Sequence, residues 1–192
     1  MDGNQINMRL ILVRHGETIE NIKGICQGQM DGTLSSEGIG QIEKLAERLK
    51  TEKIDAIYTS DLKRAIDTAS AIIKHHAQTL LNTDKRLRER YFGSYQGKVF
   101  PENRKELIVP IDAESDKELF ERVTDFYKDI SLKHREQEVL IVSHGVTLRT
   151  LLAVIQNTSN IESVEPLKNA SISIIDIDTQ TQFITLNSTA HL

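Results

Sequence analysis

The sequence predicts an α/β fold, a three-layer α/β/α sandwich whose doubly wound sheet is mostly parallel and carries an edge hairpin. Three observations carry this. Short, unbroken apolar runs recur along the chain, as expected of strands covered on both faces. Segments of helical period separate them, and helical crossovers are what parallel pairing needs. The last two runs, 171–176 and 183–187, are linked through "DTQTQ" and read as the hairpin.

The elements follow in order. "RLILV" at 9–13 is the first strand. A helix over 35–50 buries Ile39, Ile42, Leu45, Ala46 and Leu49, with Ser35 as N-cap and Leu34 stapled to Ile39. A strand at 54–59 leads through Ser60, read as the next N-cap, into a helix over 61–76 with a stripe at Leu62, Ala65, Ile66, Ala69, Ile72 and Ile73. A short strand is expected at 79–82. The irregular stretch 90–114, with Pro101 and Pro110, reads as a small cap inserted into a single 192-residue domain. "SDKE" at 115–118 is a capping box for a helix through Leu119, Phe120, Val123, Phe126, Tyr127 and Ile130. A strand at 138–143 and a helix over 147–156 precede the hairpin.

Composition narrows the classes of function. With 39% hydrophobic and 27% charged residues and a net charge of −4, the chain reads as a globular protein without a basic stripe for nucleic acid. No apolar run reaches the roughly 18 residues of a membrane span. The N-terminus has no basic region before its apolar run, so a cytoplasmic location is expected, which a single cysteine, Cys26, also suits.

In sheets of this kind, ligands bind beyond the carboxyl ends of the strands. Two of those ends are "VRHGE" and "VSHGV", so His15 and His144, each before a glycine suited to a tight turn, are expected at one edge. A third end, "YTSDLKRA", adds Arg64. Taken singly, these residues have ordinary explanations: a hydrogen-bonded histidine, a solvated arginine, a charged loop at Glu89. Together, Arg14 and Arg64 offer two guanidinium forks for phosphate oxygens, beside histidines that can be neutral near pH 7. The helix after Ser60 adds free N–H groups that favour an anion. No acid, cysteine or further histidine stands at metal-ligand spacing from His15 or His144. His75, His76, His134 and His191 read as helix-surface or tail residues.

Five ordered motifs then resemble the histidine phosphatase superfamily, the phosphoglycerate-mutase-like proteins: "LVRHGETIEN", "QGQMDGTLSSEGIGQ", "SDLKRAIDTA", "LRERYFGSYQG" and "VSHGVTLRTL". Thr33 stands where the family usually has proline. The resemblance implies His15 as phosphorylated nucleophile and Glu89 as proton donor. It also implies Arg14, Arg64 and a protonated His144 around the phosphoryl group, with Thr18, Asn21, Gln27 and Gly28 completing the pocket. No metal or cofactor is implied. The expected partner is a small phosphorylated substrate, with no nucleic acid or membrane and a homodimer left open.

Within the family, hydrolysis of small phosphomonoesters is the expected activity. Phe92 and Val146 replace a tyrosine and an asparagine of the mutases, and 89–144 is short and lacks their adjacent arginine pair. Phosphoglycerate mutase is the first alternative. A sugar phosphatase like the fructose-2,6-bisphosphatases is the second, although "DAES" puts Ala113 in place of a glycine of the cap. A binding module on the same fold is the alternative from a different class, disfavoured because binding alone needs no proton donor.

Overall fold

The computed structural model describes residues 7–103 and 106–192. Residues 1–6, where a leader was sought, and 104–105 of the expected cap lie outside the described residues. Six strands form one sheet in the order β3-β2-β4-β1-β5-β6: β1 (Met8–Arg14), β2 (Ala56–Thr59), β3 (Leu81–Thr83), β4 (Gln137–Ser143), β5 (Ile172–Ile177) and β6 (Thr181–Ser188). β1, β4, β2 and β3 pair in parallel, while β5 runs antiparallel to β1 and forms the edge hairpin with β6.

The unbroken apolar runs have a plain cause. Ile11 and Val13 of β1 and Leu140 and Val142 of β4 face α2 (Ser36–Leu49) and α3 (Lys63–Ile73) through Ile42, Leu45, Ala65 and Ile72. The alternate residues Leu10, Leu12, Val139 and Ile141 face α4 (Asp116–Lys133) and α5 (Gly145–Ile155) through Phe126, Ile130, Leu148 and Leu152. From Leu10 to Val13 each β1 position therefore buries its side chain on one layer or the other, and none of the four is polar.

Several boundaries differ from the sequence reading. Ser60 does not cap α3: its Oγ accepts from Leu62 N at 3.2 Å, closing a turn, and the helix begins at Lys63. The first-turn N–H of Lys63 is taken by Asp31 at 3.1 Å, so this helix end is no anion site. α5 starts at Gly145, directly after His144, two residues earlier than expected. β2 starts two residues later than expected, and Thr79 precedes β3, where its hydroxyl donates to Ile54 O at 2.9 Å. A one-turn helix, α1 (Ile19–Ile22), had no signal in the periodicity; Thr18 and Asn21 close a reciprocal cap on it.

Candidate active site

Register brings the two His-Gly motifs together. Arg14 on β1 pairs with Ser143 on β4, so His15 and His144 leave the sheet side by side. His15 N extends the ladder to Ser143 O at 3.0 Å, and the two rings lie 5.1 Å apart between centroids. β2 lies on the far side of β4 and delivers α3, whose second residue is Arg64.

Arg64 is 1% exposed, unlike the solvated group that a first-turn arginine taken singly suggests. Its Nε donates to His15 Nε2 at 3.3 Å, Nη1 to Met30 O at 2.7 Å and Nη2 to Gly28 O at 2.8 Å. Gly28 holds φ +52°, the left-handed conformation that presents this carbonyl, and a Cβ there would meet Gln96 Oε1 at 2.1 Å. Burial lowers the Arg64 pKa to about 10, opposed by Glu89 and Asp31, so the group stays charged at neutral pH.

His15 is 3% exposed, and its Nδ1 lies 2.7 Å from Gly16 O. A carbonyl only accepts, so Nδ1 carries the proton and Nε2 keeps its lone pair. Gly16 itself serves packing rather than a left-handed turn: a Cβ would stand 2.7 Å from Ile42 Cγ2, where the loop lies on α2. Burial, then Arg64 and Arg14, hold the His15 pKa well below its usual range, with the Gly16 bond opposing them. His144 is fully buried, and among the described residues neither ring nitrogen has a hydrogen-bond partner. Burial, Arg64, His15 and Arg14 push its pKa well down as well, which favours a neutral ring in the free site, whereas the protonated form implied by the resemblance belongs to the site with a phosphoryl group bound. An incoming anion would accept from the one N–H of the neutral ring, and from a second if the ring gained a proton.

Glu89 reaches the site from the loop after β3. Its Oε1 accepts from Arg90 N and Thr147 N at 2.9 and 3.1 Å, with Thr147 Oγ1 3.2 Å away, and Oε2 accepts from Val146 N at 3.1 Å. The carboxylate thus sits on the first turn of α5, next to His144. A Cβ on Gly145 would lie 3.5 Å from Arg14 Nε and 3.8 Å from Glu89 Oε2, so both flank that backbone. Arg14 is anchored through Nη1 to Leu167 O.

The remaining expected residues mostly hold neighbours. Thr18 Oγ1 is buried and accepts from Asn21 N at 3.1 Å and Gln27 Nε2 at 2.9 Å. Asn21 Oδ1 accepts from Thr18 N at 3.2 Å. Sequence reasoning missed Gln29, whose Nε2 donates to Glu89 O at 3.1 Å, and Thr147, whose hydroxyl donates to Arg88 O at 2.7 Å. It also missed Asn169, which donates to His15 O at 3.1 Å. Spacing within a motif could have flagged Thr147, one helical turn past His144; the other two contacts are long-range. Among the described residues no group of three or more His, Cys, Asp or Glu is gathered to hold a metal ion.

The model of the histidine phosphatase superfamily (branch 1) matches residues 10–189. A metal-independent phosphoserine phosphatase of Arabidopsis thaliana is 36% identical, over 89% of this chain and 77% of that protein. A putative phosphoserine phosphatase 2 of Hydrogenobacter thermophilus is 35% identical, over 95% and 97%. A phosphoglycerate mutase of Schizosaccharomyces pombe is also 35% identical, over 74% and 77%. Among solved structures, Bacillus stearothermophilus YhfR superposes with a TM-score of 0.85 at 30% identity, covering 96% of this chain and 98% of that one. With a paired His-Gly site on this sheet and a family match along nearly its whole length, the chain belongs to the histidine phosphatase superfamily.

Proposed function

We infer that this chain is a phosphatase that hydrolyses small phosphomonoesters through a phosphohistidine on His15. The single observation that carries the reading is the buried pair His15 and His144, with Nε2 of one unprotonated and 3.3 Å from Arg64 Nε, and neither nitrogen of the other partnered among the described residues. In the first step His15 Nε2 attacks phosphorus in line, the N–P bond forms and the P–O ester bond breaks. Glu89 gives its proton to the departing oxygen. In the second step water attacks phosphorus, the N–P bond breaks, and Glu89 takes back a proton from that water. Arg14 and Arg64 neutralise the equatorial oxygens in both steps, and His144 takes up a proton as the dianion enters. Metal-free chemistry fits this donor set, since guanidinium and imidazole groups supply the positive charge that a cation would otherwise bring.

The leaving group would lie under the 90–114 cap, in a cleft of about 320 Å³ lined by Gln29, Tyr91, Asp112, Ala113, Glu114 and Glu118. Two arginines border this region, and both are engaged. Arg122 pairs with Glu114 at 2.5 and 2.9 Å, and Arg90 pairs with Asp116 at 2.8 Å and donates to Glu114 O at 3.0 Å. Phe92 is buried under Arg90, and Val146 uses its N–H on Glu89. Among the described residues, none of the six that line that cleft is a cation that could meet a second acidic group, so the reading favours hydrolysis of monoesters with a neutral or amine-bearing leaving group over phosphoglycerate mutation and over sugar bisphosphates. A cytoplasmic location suits such a metabolite phosphatase. Rapid denaturation in alkali during turnover of a labelled phosphomonoester should leave acid-labile label on the wild type and none on His15→Ala. Label retained by the alanine variant would overturn the assignment of the nucleophile.

A further inference from the structure

The turn before β5 makes an unusual set of contacts with the site. Leu167 O accepts from Arg14, Arg14 N donates to Ser171 O at 3.3 Å, and Ala170 N donates to His15 O at 3.1 Å. Within it, Asn169 Nδ2 donates both to His15 O at 3.1 Å and to Asn21 Oδ1 at 3.2 Å. The orientation of both amides is determined by main-chain partners. The His15 carbonyl can only accept, so the Asn169 atom facing it is the nitrogen. The Thr18 N–H can only donate, so the Asn21 atom facing it at 3.2 Å is the oxygen. With its oxygen held from two sides, Asn21 has its N–H pair left to offer.

We propose that Asn169 is a positioning residue: it locks the Asn21 amide so that its nitrogen donates to the bound phosphoryl group. This rests on the reading of His15 as the phosphoryl-binding centre. Asn169 touches neither phosphate nor leaving group; it acts through Asn21. The turn has a separate anchor in Asn187 on β6, which accepts from Lys168 N at 2.7 Å and donates to Pro166 O at 3.2 Å. Loss of Asn169 therefore frees one amide without unmooring the turn.

A double-mutant cycle tests this, with orthovanadate inhibition of p-nitrophenyl phosphate turnover as the measure of phosphoryl-site affinity. Asn169→Ala and Asn21→Ala should each raise the vanadate inhibition constant about tenfold, the scale of one hydrogen bond to a charged group. The double variant should be no weaker than Asn21→Ala alone. Asn169→Asp should be worse than Asn169→Ala, because a carboxylate would face two acceptors. Asn187→Ala loosens the same turn without touching Asn21, so its effect should add to that of Asn21→Ala. Additive losses for Asn169 and Asn21, or unchanged vanadate affinity in a folded Asn169→Ala variant, would overturn the proposal alone. Should Asn169→Ala not fold, Asn169→Asp binding vanadate as well as wild type would overturn it too. Absence of vanadate binding by the wild type would remove the functional reading and this inference together.

Discussion

Replacing Glu89 with glutamine separates proton donation from the rest of the site, and the structure gives the size of the effect. Glu89 Oε1 accepts from two backbone N–H groups, Arg90 and Thr147, and Oε2 from one, Val146 N at 3.1 Å. The amide oxygen of glutamine will take the two-donor position, which turns its NH₂ towards Val146 N. One hydrogen bond is lost and two donors face each other, a cost of about 1–2 kcal/mol. For a chain of this length that is a fall in melting temperature of about 2–4 °C per kcal/mol. The phosphate clamp is untouched, so KM should change little. Turnover of an alkyl phosphate should fall by about 10²–10⁴, the usual contribution of general acid catalysis. Turnover of p-nitrophenyl phosphate should fall far less, because its leaving group departs without a proton. Steady-state kinetics on both esters, with thermal melts as a control for folding, decides the matter. Equal slowing of both esters would refute the role of Glu89 as acid.

Three further outcomes are expected. Glu114→Gln breaks the Arg122 ion pair beside the cleft proposed for the leaving group and should raise the kcat/KM ratio for 3-phosphoglycerate over p-nitrophenyl phosphate about tenfold; an unchanged ratio would show that paired arginines do not set the charge preference. His15 and His144 have folded-state pKa values well below 6.5, so below that pH the unfolded chain binds protons that the folded chain does not. Stability should therefore be unaffected by these groups above about pH 6.5 and fall with pH beneath it, by up to about 1.4 kcal/mol per pH unit for each histidine. Melting curves between pH 7.5 and 5 should show this, and the fall should be shallower in His144→Asn; identical slopes would contradict a neutral buried His144. Phosphate release should continue in excess chelator, and activity lost there and restored by a divalent ion would contradict a metal-free clamp.

What the sequence made legible, and what it did not, divides along the range of the interactions. β1 and β4 are readable because burial on both faces keeps residues 10–13 and 139–142 apolar without a break, which also makes Arg14 and His15 conspicuous. Ser35 and Ser115 cap their helices as expected, because a cap bonds three residues away. Ser60 failed as a cap for a non-local reason: Asp61 is drawn to Arg88 by two bonds, 2.7 and 2.6 Å, while Ser60 closes a turn ahead of the helix. The burial of Arg64 was equally hidden, since the carbonyls that make it tolerable belong to Gly28 and Met30. His134, read as a surface residue, lies 2.8 Å from the Tyr58 hydroxyl, and His76 lies 3.2 Å from Leu49 O.

The same division explains the chemistry. Histidine and arginine side chains announce their type in sequence, but their protonation depends on neighbours that only folding supplies. His144 is an instance: beside a glycine at a strand end it could be read as a cation, yet full burial among Arg64, His15 and Arg14 keeps the free ring neutral. That state has a use. A permanently charged His144 would add to the repulsion around Arg64, whereas a neutral ring that gains its proton with the incoming dianion brings the charge only when it is compensated. Phosphate binding at neutral pH should then be accompanied by uptake of a fraction of a proton, up to about one, as the linkage between ligand charge and ring pKa requires. Calorimetry of vanadate binding in buffers of different ionisation enthalpy reads that uptake directly. Heats that are independent of the buffer would mean that the ring stays neutral throughout and that Arg14 and Arg64 carry the anion alone.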